Sequence, residues 1–238
     1  MIKELTWDSE LIKRKIGSLT VDAGNISYLR NALEQAEKEG FQYLLCRLTS
    51  QDTKVIRTLE SQGFYLTDIG VTFGIKTADC FRHAKKTSKI TDTITAAAKK
   101  DIPDLKKLIR SLFAESRFYH DPFYSTEEAD KLYRAWIENS VKGQEADIVF
   151  HIPQTGFITC KTKGQHAGNI VLFGVRKRSR GKGYGSALLL RAMEWFAGQG
   201  MDSVSVRTQL KNRHGMNFYL SFGFFIKEYD LMFGKMIR

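Results

Sequence analysis

The sequence predicts an α/β fold, with helices layered on a mixed sheet. Two observations predict it: a helix–strand–helix–strand unit that occurs twice, and a strand–glycine-rich loop–helix junction just ahead of the second copy. The copies lie at 34–74 and 194–234 and align without a gap at a constant shift of 160. The shift matches Glu34 with Glu194, Gly40 with Gly200 and Arg47 with Arg207. It also matches Gly63-Phe64 with Gly223-Phe224, and Phe73-Gly74 with Phe233-Gly234.

Each element of the unit has its own signal. Gly40 and Gly200 stop a helix. The runs 41–48 and 202–209 alternate as strands do. A second helix, 52–62 or 212–222, ends at Gly63 or Gly223, and a last strand follows at 64–75 or 224–236. More chain precedes the second copy. Residues 101–113 form a helix with a cap-like Asp101, Pro103 in the first turn, and Leu105, Leu108, Ile109 and Leu112 at helical spacing. Residues 127–143 form another, with Leu132, Tyr133, Trp136, Ile137 and Val141 on one face. Three strands follow at 146–152, 155–161 and 167–175, separated by turn residues. Between the repeats, 80–92 is basic and polar without apolar period, a linker.

Composition narrows the function. The 238-residue chain has no uninterrupted apolar run of about 18 residues. Its first residues carry charge where an export signal needs apolar ones. Cys46, Cys80 and Cys160 are scattered and odd in number, which suggests neither a disulfide framework nor a metal cluster. A cytoplasmic enzyme without metal is expected. The net charge of +11 is uneven: residues 1–80 hold 10 Lys/Arg against 11 Asp/Glu, which leaves 27 against 15 in the rest. A basic second half fits nucleic acid, a membrane surface or a phosphorylated small ligand.

The basic density peaks at one place. Arg176, Lys177, Arg178, Arg180 and Lys182 fall within seven residues, overlapping the stretch "RSRGKGYGSALL" (178–189), which holds Gly181, Gly183 and Gly185. Glycines let a backbone approach an anion, and a helix N-terminus offers free N–H groups to it. Neither the P-loop ending nor the G-x-G-x-x-G fingerprint is met. The spacing Arg178-x-x-Gly181-x-Gly183 instead resembles the Q/R-x-x-G-x-G/A signature of the GNAT superfamily of N-acetyltransferases. A second motif of that family, Asn, Tyr seven residues on, then Gly-Phe, is matched by Asn212, Tyr219 and Gly223-Phe224.

The resemblance covers about 92–238 and implies an acetyl-CoA-dependent N-acetyltransferase. It implies that Arg178, Arg180, Gly181, Lys182, Gly183, Tyr184 and Gly185 hold the pyrophosphate of acetyl-CoA. Phe173, Gly174 and Val175 would pair with its pantetheine arm, Asn212 would steady it, and Tyr219 would act as general acid on the leaving sulfur. The first copy lacks the loop and has Leu59 in place of Tyr219. Residues 1–80 are therefore expected to be a truncated GNAT-like domain that shapes the substrate cleft, joined by a linker at 81–91 to a catalytic domain at 92–238. This build, and the segment 113–143, resemble GNAT enzymes that acetylate the 4-amino group of nucleotide-linked 4-amino-4,6-dideoxyhexoses. Arg117, Phe118 and Tyr124 are then the acceptor-binding candidates, with Arg117 suited to a diphosphate. The base stays open among Glu138, His151, His166, Glu194 and water. A protein or other small-molecule amine as acceptor, a non-catalytic acyl-CoA or nucleic-acid-binding module, and a homodimer also stay open. The partner expected is a nucleotide-sugar acceptor, with no nucleic acid and no membrane insertion.

Overall fold

The computed structural model describes residues 2–49, 52–81 and 93–237. Apart from Phe81, the linker expected at 81–91 lies outside the described residues. The first half runs β1 (Ile2–Glu4), α1 (Thr6–Ile12), β2 (Ile16–Leu19), α2 (Leu29–Lys38), β3 (Tyr43–Leu48), α3 (Thr53–Ser61), β4 (Tyr65–Lys76) and α4 (Thr77–Cys80). After the linker come β5 (Thr95–Ala96), α5 (Ile102–Leu112), α6 (Arg117–His120), α7 (Thr126–Val141), β6 (Ile148–Ile152), β7 (Gly156–Lys163) and β8 (Ala167–Val175). The chain closes with α8 (Tyr184–Gly198), β9 (Ser203–Gln209), α9 (Arg213–Ser221) and β10 (Phe225–Met236). The repeat elements fall within a residue or two of their expected bounds. Gly40, Gly63, Gly200 and Gly223 all take positive φ at helix ends, the conformation for which glycine is favoured. Asp101 departs from expectation. Its carboxylate turns back to accept from Ala98 N at 2.8 Å instead of capping α5.

All ten strands form one sheet in the order β1-β2-β3-β10-β4-β9-β8-β7-β6-β5. Two pairs in it are parallel, β2 with β3 and β8 with β9. Each repeat is a β–α–β unit whose two strands run the same way with a one-strand gap between them. The last strand of the other repeat fills that gap antiparallel: β10 lies between β3 and β4, and β4 between β9 and β10. The repeats thus interdigitate about a pseudo-dyad through the facing pair Gly70 and Asp230, which are equivalent positions at the shift of 160.

Side-chain alternation divides the core by sheet face. Phe73, Val204, Val206 and Ile158 join α8 residues Leu188, Leu189 and Met193 on one face. Leu44, Cys46 and Phe233 make the corresponding core of the first half. The opposite face has a single core drawn from both halves, in which Ile12, Ile16, Tyr43 and Leu45 pack with Leu105, Ile109, Leu132 and Phe157. The three cysteines are buried and free. No described helix is long and apolar enough to cross a membrane.

Candidate active site

Strands β8 and β9 pair only from Ala167–Ile170 against Ser203–Val206. Beyond that point β8 continues to Val175 and β9 to Gln209 with nothing between them, so the sheet splits. The register of β7 and β8 shifts between Ile158 and Cys160. At the shift the fully buried Thr159 hydroxyl takes the place of a ladder partner, accepting from Leu172 N at 2.8 Å. A bulge of this kind bends a strand away from its neighbour. Thr159 had no sequence signal of its own; one hydroxyl in a strand reads as neutral.

Phe173, Gly174 and Val175 line the part of β8 that has lost β9. Phe173 packs on Phe218 and Tyr219, with centroids 5.6 and 6.4 Å away. Gly174 lets Leu112 pack closely, since a Cβ there would come within 2.9 Å of its side chain and push it aside. The glycine loop sits directly after this segment. Gly181 and Gly183 have φ of +74° and +86°, and the space a Gly181 Cβ would occupy is open. Gly183 is the N-cap of α8, with Tyr184 and Gly185 as its first residues, so unpaired N–H groups and the positive end of the helix dipole face the loop. Arg178 and Lys182 are exposed there. Arg180 is also exposed, but its Nε donates to Val175 O at 2.9 Å. The donor set, a ring of free amides with positive side chains, fits a pyrophosphate.

Asn212 caps α9, accepting from Gly215 N at 3.0 Å and donating to Thr208 Oγ1 at 2.9 Å, so its amide is engaged within the chain. Tyr219 lies on α9 among Phe73, Phe173, Phe218 and Phe224 and is 5% exposed. Burial alone pushes its phenol pKa up. The hydroxyl therefore stays protonated at neutral pH.

On the other sheet face, segment 113–124 is pinned to the first half. Asp121, 2% exposed, accepts from the hydroxyls of Tyr43 on β3 and Tyr65 on β4, the latter at 3.0 Å. Phe123 stacks on Tyr43 with centroids 4.1 Å apart. Arg14 lies 3.9 Å over Phe123 and donates to its carbonyl at 2.8 Å. The expected acceptor trio comes together here. The Arg117 guanidinium lies 4.0 Å from the Phe118 ring and 5.9 Å from that of Tyr124, and both rings are core residues at 7% exposure. Arg117 Nη1 and the Tyr124 hydroxyl approach one another, yet neither completes a hydrogen bond of normal geometry. Trp136 Nε1 and Asp68 Oδ2 are likewise buried without a hydrogen bond, and Ser116 Oγ interacts with Tyr133 short of normal geometry.

Asp68 is a residue that sequence reasoning missed. It belongs to β4, in the half expected to be catalytically empty, and interdigitation alone carries it beside Arg207, Arg117 and Tyr133. Burial raises its pKa above the usual carboxylate value, against the pull of Arg207 and Arg117. The four side chains considered as bases have partners elsewhere. Glu138 bonds Lys106 and Lys142 and is held down to about 2 by them. His151 contacts Thr95 and Asp101, His166 lies 3.2 Å from Asp202, and Glu194 lies 3.5 Å from Arg191.

Comparison with known proteins agrees with this geometry. Residues 108–224 match the profile of the acetyltransferase (GNAT) family. The chain is 24% identical over 183 residues, 74% of each chain, to dTDP-fucosamine acetyltransferase of Escherichia coli O6:H1. Among solved structures it is similar to a protein of unknown function from Staphylococcus epidermidis, with a TM-score of 0.68 at 15% identity over 94% of this chain and 85% of the other. It is similar also to a tandem GNAT protein of the clavulanic acid biosynthesis pathway, with a TM-score of 0.63 at 11% identity over 94% and 75%. The fold is therefore the mixed α/β fold of these proteins.

Proposed function

We infer, for an acyltransferase whose residues 108–224 belong to the acetyltransferase (GNAT) family, that this chain moves the acetyl group of acetyl-CoA to the amino group of a nucleotide-linked amino-deoxysugar. The reading of the acceptor rests on buried polar atoms whose hydrogen bonding is incomplete, Arg117 Nη1, Tyr124 Oη and Asp68 Oδ2. Buried polar atoms are rarely left unpaired, and each one that is calls for a partner such as water, an ion or a bound group. The similarity to dTDP-fucosamine acetyltransferase supports the same class of acceptor. Residues 1–80 serve as a truncated half that supplies β4 and shapes the cleft, and 92–238 carry the cofactor machinery.

In this reading the loop amides around Gly181–Gly185, with Arg178 and Lys182, hold the pyrophosphate. The unpaired edge of β8 at Phe173–Val175 aligns the thioester, and Val175 N–H polarises its carbonyl. Asp68 accepts the proton that the acceptor ammonium must lose. The freed nitrogen then attacks the thioester carbon, and the C–N bond forms. When the C–S bond breaks, the Tyr219 hydroxyl gives its proton to the departing thiolate, and the surplus proton that the attacking nitrogen still carries leaves it and restores the Tyr219 hydroxyl. Direct transfer needs no nucleophile on the enzyme, and burial pushes the Cys46 and Cys80 thiols up to about 12, far from reactive thiolates.

A panel of amino-sugar nucleotides with acetyl-CoA, read by thiol release, tests the reading. Release with none of them, but with a peptide amine, would overturn the acceptor. Two variants test its halves. Gly183→Asp adds a Cβ at φ +86° and a carboxylate at the helix N-terminus, so acetyl-CoA affinity should fall by about 100-fold, on the order of 3 kcal/mol. Calorimetric titration checks it; an unchanged Kd removes the pyrophosphate assignment. Arg117→Ala should raise KM for the acceptor far more than for acetyl-CoA, and equal effects on the two would count against an acceptor role.

A further inference from the structure

Where the pseudo-dyad crosses the sheet, a symmetric duplication would set two identical residues face to face. Here one is Asp230 and the other is Gly70. The equivalent arginines, Arg47 on β3 and Arg207 on β9, therefore share a single carboxylate. Arg207 donates through Nε at 2.9 Å and Nη2 at 2.7 Å, and Arg47 through Nη2 at 3.0 Å. Asp230 is 1% exposed. The Arg207 guanidinium lies flat over Gly70, where a Cβ would come within 2.0 Å of it. The absence of a side chain at position 70 is thus what allows Arg207 to reach across the inserted strand.

The arrangement leaves donors over. Two guanidiniums face one carboxylate, and among the described residues three of their N–H groups are engaged. The side chains of Arg47 and Arg207 are 46% and 30% exposed, so the remaining donors face solvent on the sheet surface that bears Asp68. Arg117, by contrast, has its Nη1 buried. Burial works against the Asp230 charge, but the arginine hydrogen bonds hold its pKa below the usual value, so the platform keeps its geometry at neutral pH. Asp68 and the exposed Glu228 also stand on this face, so an anion bound there needs the paired donors of both arginine forks to hold it.

We propose that Arg47 and Arg207, gathered on Asp230 at the pseudo-dyad, read the diphosphate of the acceptor. The proposal rests on the acceptor reading above and deepens it: the anion is held by one arginine from each repeat, and Arg117 is left to the sugar. Guanidinium forks match phosphate oxygens in pairs.

Calorimetry on protein saturated with CoA, so that the glycine loop is filled, tests it with dTDP and inorganic pyrophosphate as probes. Arg47→Met is the decisive variant, because Asp230 keeps both bonds to Arg207 and the fold is preserved. Both probes should bind the parent protein and weaken at least tenfold in Arg47→Met, with CoA affinity unchanged; Arg207→Met should weaken them further. Unchanged probe affinity in Arg47→Met, or no binding of either probe to the parent, overturns the proposal. So does thiol release as fast with a free amino sugar as with its nucleotide-linked form, though acetyl transfer to an amine would then stand. Arginine-dependent dTDP binding without acetylation of any amino-sugar nucleotide supports the anion site and sinks the acceptor reading instead.

Discussion

Tyr219→Phe is expected to lower kcat by roughly 10²–10⁴ while acetyl-CoA affinity holds within a few-fold. The ring sits among Phe73, Phe173, Phe218 and Phe224, so Phe keeps the packing and removes only the hydroxyl. Among the described residues it is the protonated hydroxyl on α9 beside the end of β8, and burial raises its pKa, which keeps the proton available for a leaving thiolate. The loss should appear in the chemical step, measured by single-turnover thiol release. The pH profile separates this role from that of Asp68. A raised carboxylate pKa means that kcat/KM climbs with pH as Asp68 deprotonates, at a pH above the usual 3.8. Asp68→Asn should abolish that climb, and Tyr219→Phe should leave it in place. A Tyr219→Phe enzyme at close to the parent rate would show that the thiolate leaves without this proton.

A chain shortened to residues 92–238 should fail to form a native fold, although it contains every residue of the cofactor site. Removing residues 1–80 takes β4 out from between β9 and β10 and strips Val71, Phe73 and Ile75 from the core beneath α8. β9 is left with an unpaired edge, and β10, which also loses β3, is left without a strand partner. Unpaired strand edges and exposed apolar surface lead to aggregation. The fragment should be insoluble, or soluble without near-ultraviolet dichroism or acetyl-CoA binding. Co-expression with residues 1–80 should restore both, since the halves meet through strand pairing and one shared core. A soluble, acetyl-CoA-binding 92–238 fragment would show that β4 is dispensable.

Much of this was legible in the residues. The periodicity located the repeat elements, because a helix or strand that buries one face must carry its apolar residues at that spacing. Gly181 and Gly183 announced a loop that must take positive φ, and Tyr219 stood at a fixed distance from Asn212 and Gly223. The short elements β1, α1 and β2 escaped notice, since three to seven residues carry too little periodicity. Phe118 and Tyr124 are acceptor-binding candidates by sequence; in the fold Tyr124 packs edge-on to Tyr43, a residue far away in sequence, and Phe118 packs on Tyr124, so both rings are buried.

By itself, then, the sequence determined what local chemistry determines: the elements, the duplication, and a helix N-terminus bare enough for a phosphate. Only the tertiary structure decided that the two copies interdigitate, because a one-strand gap in each β–α–β unit can be filled only by a strand from elsewhere. That exchange brings Asp68 of the first half near Arg207 and Arg117 of the second. It also sets Gly70 against Asp230, so that two equivalent arginines meet on one acid. Neither residue is marked locally, because each acts through neighbours about 140 to 160 positions away along the chain.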